Sequence, residues 1–130
     1  MQVEYERCCG IDVHKETVVA CVIVPGADGK PVKETRTFNT LTDDLKALAQ
    51  WQVAQGVTHV AMESTGGYWK PIYNVLEGQF ELLVINAEHF KKLRGRKTDV
   101  ADAEWLADLL RHGLLKVVSF HPRNNAPGAT

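Results

Sequence analysis

Apolar residues in the first third of the chain gather in short, β-branched runs. Cys8 to Val13 and Thr17 to Val24 flank the polar stretch His14-Lys15-Glu16. Two such runs around a polar turn predict a hairpin of two strands, although this turn lacks the Gly or Asn that tight hairpins favour. Pro25 to Lys30 is rich in turn formers. After it, Val32 to Phe38 interleaves Val, Glu, Arg and Phe with Lys and Thr, which predicts a third, partly exposed strand.

The period then changes. Leu41, Leu45, Leu48, Ala49 and Trp51 recur at helical spacing, so a helix capped by Thr42 is expected to run to about Gln55 and stop at Gly56, burying that stripe on a sheet. Val57 to Met62 reads as a short strand ending at Glu63, and Ser64-Thr65-Gly66-Gly67 turns the chain into a helix from Tyr68 to Glu77. Phe80 to Ile85 is a further buried strand, followed by a short helix over Ala87 to Leu93. Beyond Gly95, Thr98 or Asp99 opens a helix to about His112, Gly113 ends it, and Leu115 to Phe120 adds a last extended piece. A three-stranded antiparallel start followed by alternating helices and strands predicts an α/β fold, a mixed sheet with helices on both faces. Residues 1–121 are expected to form this domain. The polar, Pro- and Asn-containing residues 122–130 read as a flexible tail leading to another domain.

Composition narrows the setting. The chain has 130 residues, 45% hydrophobic and 24% charged, as expected of one globular domain. It lacks an uncharged apolar run of about 18 residues, and its first residues are polar, so a cytoplasmic protein with neither membrane span nor signal peptide is expected. Cys8, Cys9 and Cys21 lie in apolar stretches without zinc-site spacing and are read as small core residues. A net charge of −1 gives no global attraction to nucleic acid. Its distribution does matter: Lys91, Lys92, Arg94, Arg96 and Lys97 fall within seven residues, a basic segment suited to phosphate backbones or, equally, to a solvated loop.

Four acids stand out against this background. Asp12 is embedded in an apolar strand, where a carboxylate is costly without a compensating cation or donor. Glu63 holds the matching position at the end of its strand. Asp99 and Asp102, three residues apart at a helix start, project from one face, a spacing that also fits reciprocal capping. Singly, each acid has an ordinary explanation as a cap, a strand terminator or an ion-pair partner. Together, two acids at strand ends and two on one helix could meet at the crevice bordering the strands' carboxyl ends. Carboxylates about 3 Å apart stay ionised only around a cation, and an oxygen-only set suits Mg²⁺ or Mn²⁺ in phosphodiester cleavage.

The residues Gly10-Ile11-Asp12-Val13-His14-Lys15, Met62-Glu63-Ser64-Thr65-Gly66 with Tyr68-Trp69, and Lys97-Thr98-Asp99-Val100-Ala101-Asp102-Ala103 together resemble the DEDD transposases. These insertion-sequence recombinases are related to the Piv invertase, and their first domain resembles the Holliday-junction resolvase RuvC, of RNase H-like fold. The resemblance spans about residues 8–121. It implies that Asp12, Glu63, Asp99 and Asp102 are the catalytic, metal-binding acids, that Mg²⁺ or Mn²⁺ is the cofactor, and that DNA is cut and exchanged during transposition. It further implies an absent carboxyl-terminal domain bearing a nucleophilic serine, a guide RNA in some members, and a homo-oligomer in the full-length protein. The chain would then carry half of a composite active site.

Around these acids, Lys15 joins the Lys91 to Lys97 segment as a candidate phosphate contact, with a solvated hairpin lysine as the alternative. His14 reads as a surface turn histidine. Ser64 to Gly67 offers backbone amides to a phosphate or is an ordinary turn. Tyr68 and Trp69 either stack on a base or anchor their helix. Three other functions compete. An actin-like or sugar-kinase ATPase would need Gly where His14 stands. A hydrolase built on Ser64 would need Gly in place of Met62. A non-catalytic nucleic-acid-binding module would use the acids as caps and ion-pair partners.

Overall fold

The computed structural model describes residues 2–63, 66–94 (backbone alone at Arg94) and 102–124. Its elements are β1 (Cys8–Val13), β2 (Thr17–Pro25), β3 (Pro31–Asn39), α1 (Thr42–Ala54), β4 (His59–Glu63), α2 (Trp69–Leu76), β5 (Glu81–Ile85), α3 (Ala87–Arg94), α4 (Asp102–Arg111) and β6 (Val117–His121). The six strands form one sheet in the order β3-β2-β1-β4-β5-β6. β1, β2 and β3 are antiparallel neighbours, β1, β4 and β5 run parallel, and β6 closes the far side antiparallel to β5. This is the mixed sheet anticipated from the alternation of elements. Among the described residues, no helix is long and apolar enough to cross a membrane.

Strand alternation divides the core between two faces. Cys9, Ile11, Val60, Met62, Leu82 and Val84 point to the face covered by Leu45, Leu48 and Trp51 of α1 and Ile72 and Leu76 of α2. Cys8, Cys21, Ala61, Leu83 and Ile85 point to the other, beneath Phe90 of α3 and Ala103, Leu106, Ala107 and Leu110 of α4. All three cysteines are buried thiols. Burial pushes Cys8 up to about 12 and raises Cys9 and Cys21 as well, which keeps these thiols protonated and inert.

Local chemistry sets the boundaries. Gly56 (φ 73°) and Gly113 (φ 68°) adopt the left-handed conformation after α1 and α4. In each case the glycine N–H and the following N–H bond back into the last turn: Gly56 to Val53 and Val57 to Gln52, Gly113 to Leu110 and Leu114 to Leu109. Val57 is thereby used by the helix cap, which is why β4 begins at His59 rather than at Val57. Glu63 is the last residue of β4 itself. At the other end of α1 the capping position belongs to Leu41, extended and exposed, whose carbonyl accepts the Leu45 N–H; Thr42 is the first helical residue and makes no side-chain cap. Helix α2 is one residue shorter at each end than the apolar pattern suggested. The predicted opening of α4 at Thr98 or Asp99 lies outside the described residues.

One close approach positions α4. A Cβ on Gly10 would lie 2.5 Å from the Ala107 amide nitrogen and 2.6 Å from the Ala103 carbonyl oxygen, so the helix backbone rests directly on β1. Lys33 of the edge strand β3 adds a clamp, its ammonium 2.8 Å from Asp108 Oδ2 and 3.3 Å from Glu104 Oε1. Because backbone atoms rather than a mobile side-chain tip occupy the space, Gly10→Ala is expected to cost about 3 kcal/mol, read as a lower urea midpoint. A destabilisation below about 1 kcal/mol would mean that α4 slides easily over β1.

Candidate active site

Asp12 follows Cys8 and Gly10 along the α4 face of β1, by the two-residue alternation of a strand. β1 and β4 are in parallel register through Cys8↔His59, Gly10↔Ala61 and Ile11↔Met62, so Asp12 and Glu63 are the next residues on neighbouring strands and share that face. Glu63 is in turn paired with Ile85 of β5. β1 and α4 run in opposite senses: the Cys8 thiol lies 3.7 Å from the Ala107 carbonyl, whereas Gly10 sits between Ala107 and Ala103. Continuing two residues to Asp12 leads towards the first residue of α4, Asp102. Three of the four predicted acids therefore come to one edge and one face of the sheet. The fourth, Asp99, lies outside the described residues.

The environment of these acids is distinctive. Asp12 is about one-seventh exposed, with a side-chain exposure of 14%. Its Oδ2 lies 3.0 Å from Nε2 of His14, so the histidine read from sequence as a surface turn residue touches the site. The signal was its position two residues past Asp12, on the same side of the chain as the strand ends. Glu63 is half-buried, and its Oε2 is shut off from solvent, where a carboxylate needs positive charge or donors to stay ionised. Asp102 is half-buried in the first turn of α4, whose amide dipoles favour negative charge. Among the described residues, no three His, Cys, Asp or Glu side chains are close enough to hold an ion as they stand. The donor set nevertheless suits Mg²⁺ or Mn²⁺: hard carboxylate oxygens on one face, one of them buried.

The candidate nucleic-acid contacts are partly placed. Asn86 caps α3 through its Oδ1, which accepts the His89 N–H at 2.9 Å, and buried Phe90 pins the helix on the α4 face. Lys91 and Lys92 are left exposed. Since α3 follows β5 directly, it begins at the edge where Glu63 ends β4. The Arg94 side chain, Arg96 and Lys97 lie outside the described residues. Lys15 is exposed in the β1–β2 turn, where its carbonyl accepts the Thr40 hydroxyl at 3.4 Å. The aromatic pair divides: Trp69 packs on the core and against Tyr73 with ring centroids 5.9 Å apart, whereas Tyr68 is 49% exposed. Ser64 and Thr65 fall outside the described residues.

A mixed sheet in this order, with acids at the carboxyl ends of two adjacent parallel strands and at the start of the helix crossing them, defines an RNase H-like domain. The fold is similar to that of RuvC from Thermus thermophilus, with a TM-score of 0.58 and 13% identity over 86% of this chain and 99% of that one. The T. thermophilus RuvC in complex with a Holliday junction substrate gives 0.55 and 12% over the same shares. At such identities the likeness speaks for the fold. The sequence profile of the IS110-type DEDD transposases, described as transposase, matches residues 9–126, and the chain belongs to that family. No curated protein sequence matches it significantly.

Proposed function

We propose that this domain carries the metal-binding half of a transposase active site and promotes phosphodiester cleavage and strand exchange in DNA. The observation that carries the reading is the parallel register of β1 and β4, which sets Asp12 and Glu63 side by side on the face where α4 begins. In this reading Asp12, Glu63, Asp99 and Asp102 hold Mg²⁺ or Mn²⁺. Such an ion, when bound, supplies Lewis acidity to the phosphodiester and favours ionisation of the attacking hydroxyl.

The chain's own residues do the rest. Asp12 and Glu63, fixed by backbone hydrogen bonds of the sheet, form a rigid floor of negative charge. The amino terminus of α4 stabilises Asp102 there through its dipole. Lys15, Lys91, Lys92, Arg94, Arg96 and Lys97 contact backbone phosphates, giving affinity without sequence preference and drawing the strand towards the acids. Their positive charge offsets the repulsion between a phosphodiester and the carboxylates. As the family resemblance implies, a serine-bearing domain beyond residue 121 completes the site, and the whole protein is a homo-oligomer acting on DNA, with a guide RNA as a further partner in some members of the family.

Two measurements test this reading against that of a non-catalytic binding module. Mg²⁺ or Mn²⁺ is expected to raise the melting temperature, by about 2.7 kcal/mol of stabilisation at a hundredfold excess over Kd, and Asp12→Asn is expected to abolish the rise. Equal responses in the two proteins would remove the metal site. Reversing Lys91, Lys92, Arg94 and Lys97 to Glu is expected to weaken DNA binding and to flatten its dependence on log[salt] by about 0.9 for each phosphate that is no longer neutralised. An unchanged slope would exclude the segment from the interface.

A further inference from the structure

We infer that His14 is a positioning residue for the metal site, holding the Asp12 carboxylate in the orientation in which it receives the cation. The inference rests on the metal-binding reading above. Its starting point is the 3.0 Å contact between His14 Nε2 and Asp12 Oδ2. An ionised carboxylate can only accept, so Nε2 carries the hydrogen and donates it; this holds for the neutral ring and for the imidazolium alike. The role therefore requires no particular protonation state.

Geometry makes this hydrogen bond consequential. Asp12 is anchored at its backbone by pairing with Val19 of β2, and the donor on Oδ2 acts on the carboxylate itself, restraining rotation about the Cβ–Cγ bond. His14 can supply it because the chain leaves the strand register just after Val13: the His14 N–H donates to the Thr17 carbonyl at 2.9 Å, closing the turn and fixing the histidine backbone. The imidazole side chain is 53% exposed against 14% for Asp12. The histidine thus forms the outer wall of the site while the acid faces inward. Outer partners that orient a ligating group typically contribute a factor of about 10–100 in metal affinity.

Mn²⁺ binding to the whole chain, followed by the decrease of the free-ion electron paramagnetic resonance signal, tests the inference. His14→Ala is expected to weaken binding about 10- to 100-fold with little change in metal-free melting temperature, because the side chain is half in solvent. His14→Gln, whose amide nitrogen can occupy the place of Nε2, is expected to restore affinity to within about threefold of wild type. Wild-type affinity in His14→Ala would overturn the role, and so would equal weakening in both variants. Asp12→Asn separates the two levels of the argument: if it binds Mn²⁺ like wild type, the metal-binding reading itself fails. Independently of any metal, the imidazole ¹⁵N shifts of His14 should report a proton on Nε2. A proton on Nδ1 with Nε2 bare would remove the hydrogen bond on which the inference stands.

Discussion

The arrangement depends on the contact between a helix backbone and a strand backbone at Gly10. With any side chain there, α4 would stand off from β1, since the Ala107 amide and the Ala103 carbonyl already occupy the space of a Cβ. Ala103 and Ala107, both fully buried, continue the same logic from the helix side, because small residues on each partner allow the axes to approach. The approach fixes the height and slide of α4 over the sheet, and with them the place of Asp102 relative to Asp12. The clamp from Lys33 to Glu104 and Asp108 lies further along the helix and is partly in solvent, so it adds orientation more than stability.

A second constraint is the parallel pairing of β1 with β4. Parallel neighbours need a crossover, and here the crossover is long: β2, β3 and α1 intervene between them. The consequence is that two residues far apart in the chain, Asp12 and Glu63, occupy equivalent places at the same strand edge. Acids at such an edge have their backbone held by the sheet and their side chains turned to the crevice beneath a helix terminus. The helix dipole favours negative charge there, whereas two residues deeper the same face is fully apolar. Family membership and fold agree with this reading, and the placement of the acids gives it chemical content.

Much of the architecture was legible along the chain. The β-branched runs, the helical spacing of Leu45, Leu48 and Trp51, and Gly56 and Gly113 each act within a few residues, through burial alternation or left-handed caps, so reading order suffices to find them. Misjudged boundaries arose where two signals competed for one residue. Val57 is apolar enough for a strand, yet its N–H is spent on the α1 cap; Leu41 belongs to the apolar period, yet stands outside the helix as its cap.

The sequence alone determined the element types and the burial of the cysteines, because these follow from local composition and periodicity, whereas Asp12, Glu63, Asp99 and Asp102 stood out as candidates only in combination. Tertiary structure decided which strands are neighbours, which face each acid takes, and that His14 reaches Asp12 while Trp69 and Tyr68 part company between core and solvent. Those outcomes depend on register between segments separated by tens of residues and on a glycine-sized gap between two backbones. Such distances are fixed when the chain packs, and no pattern within a single segment encodes them.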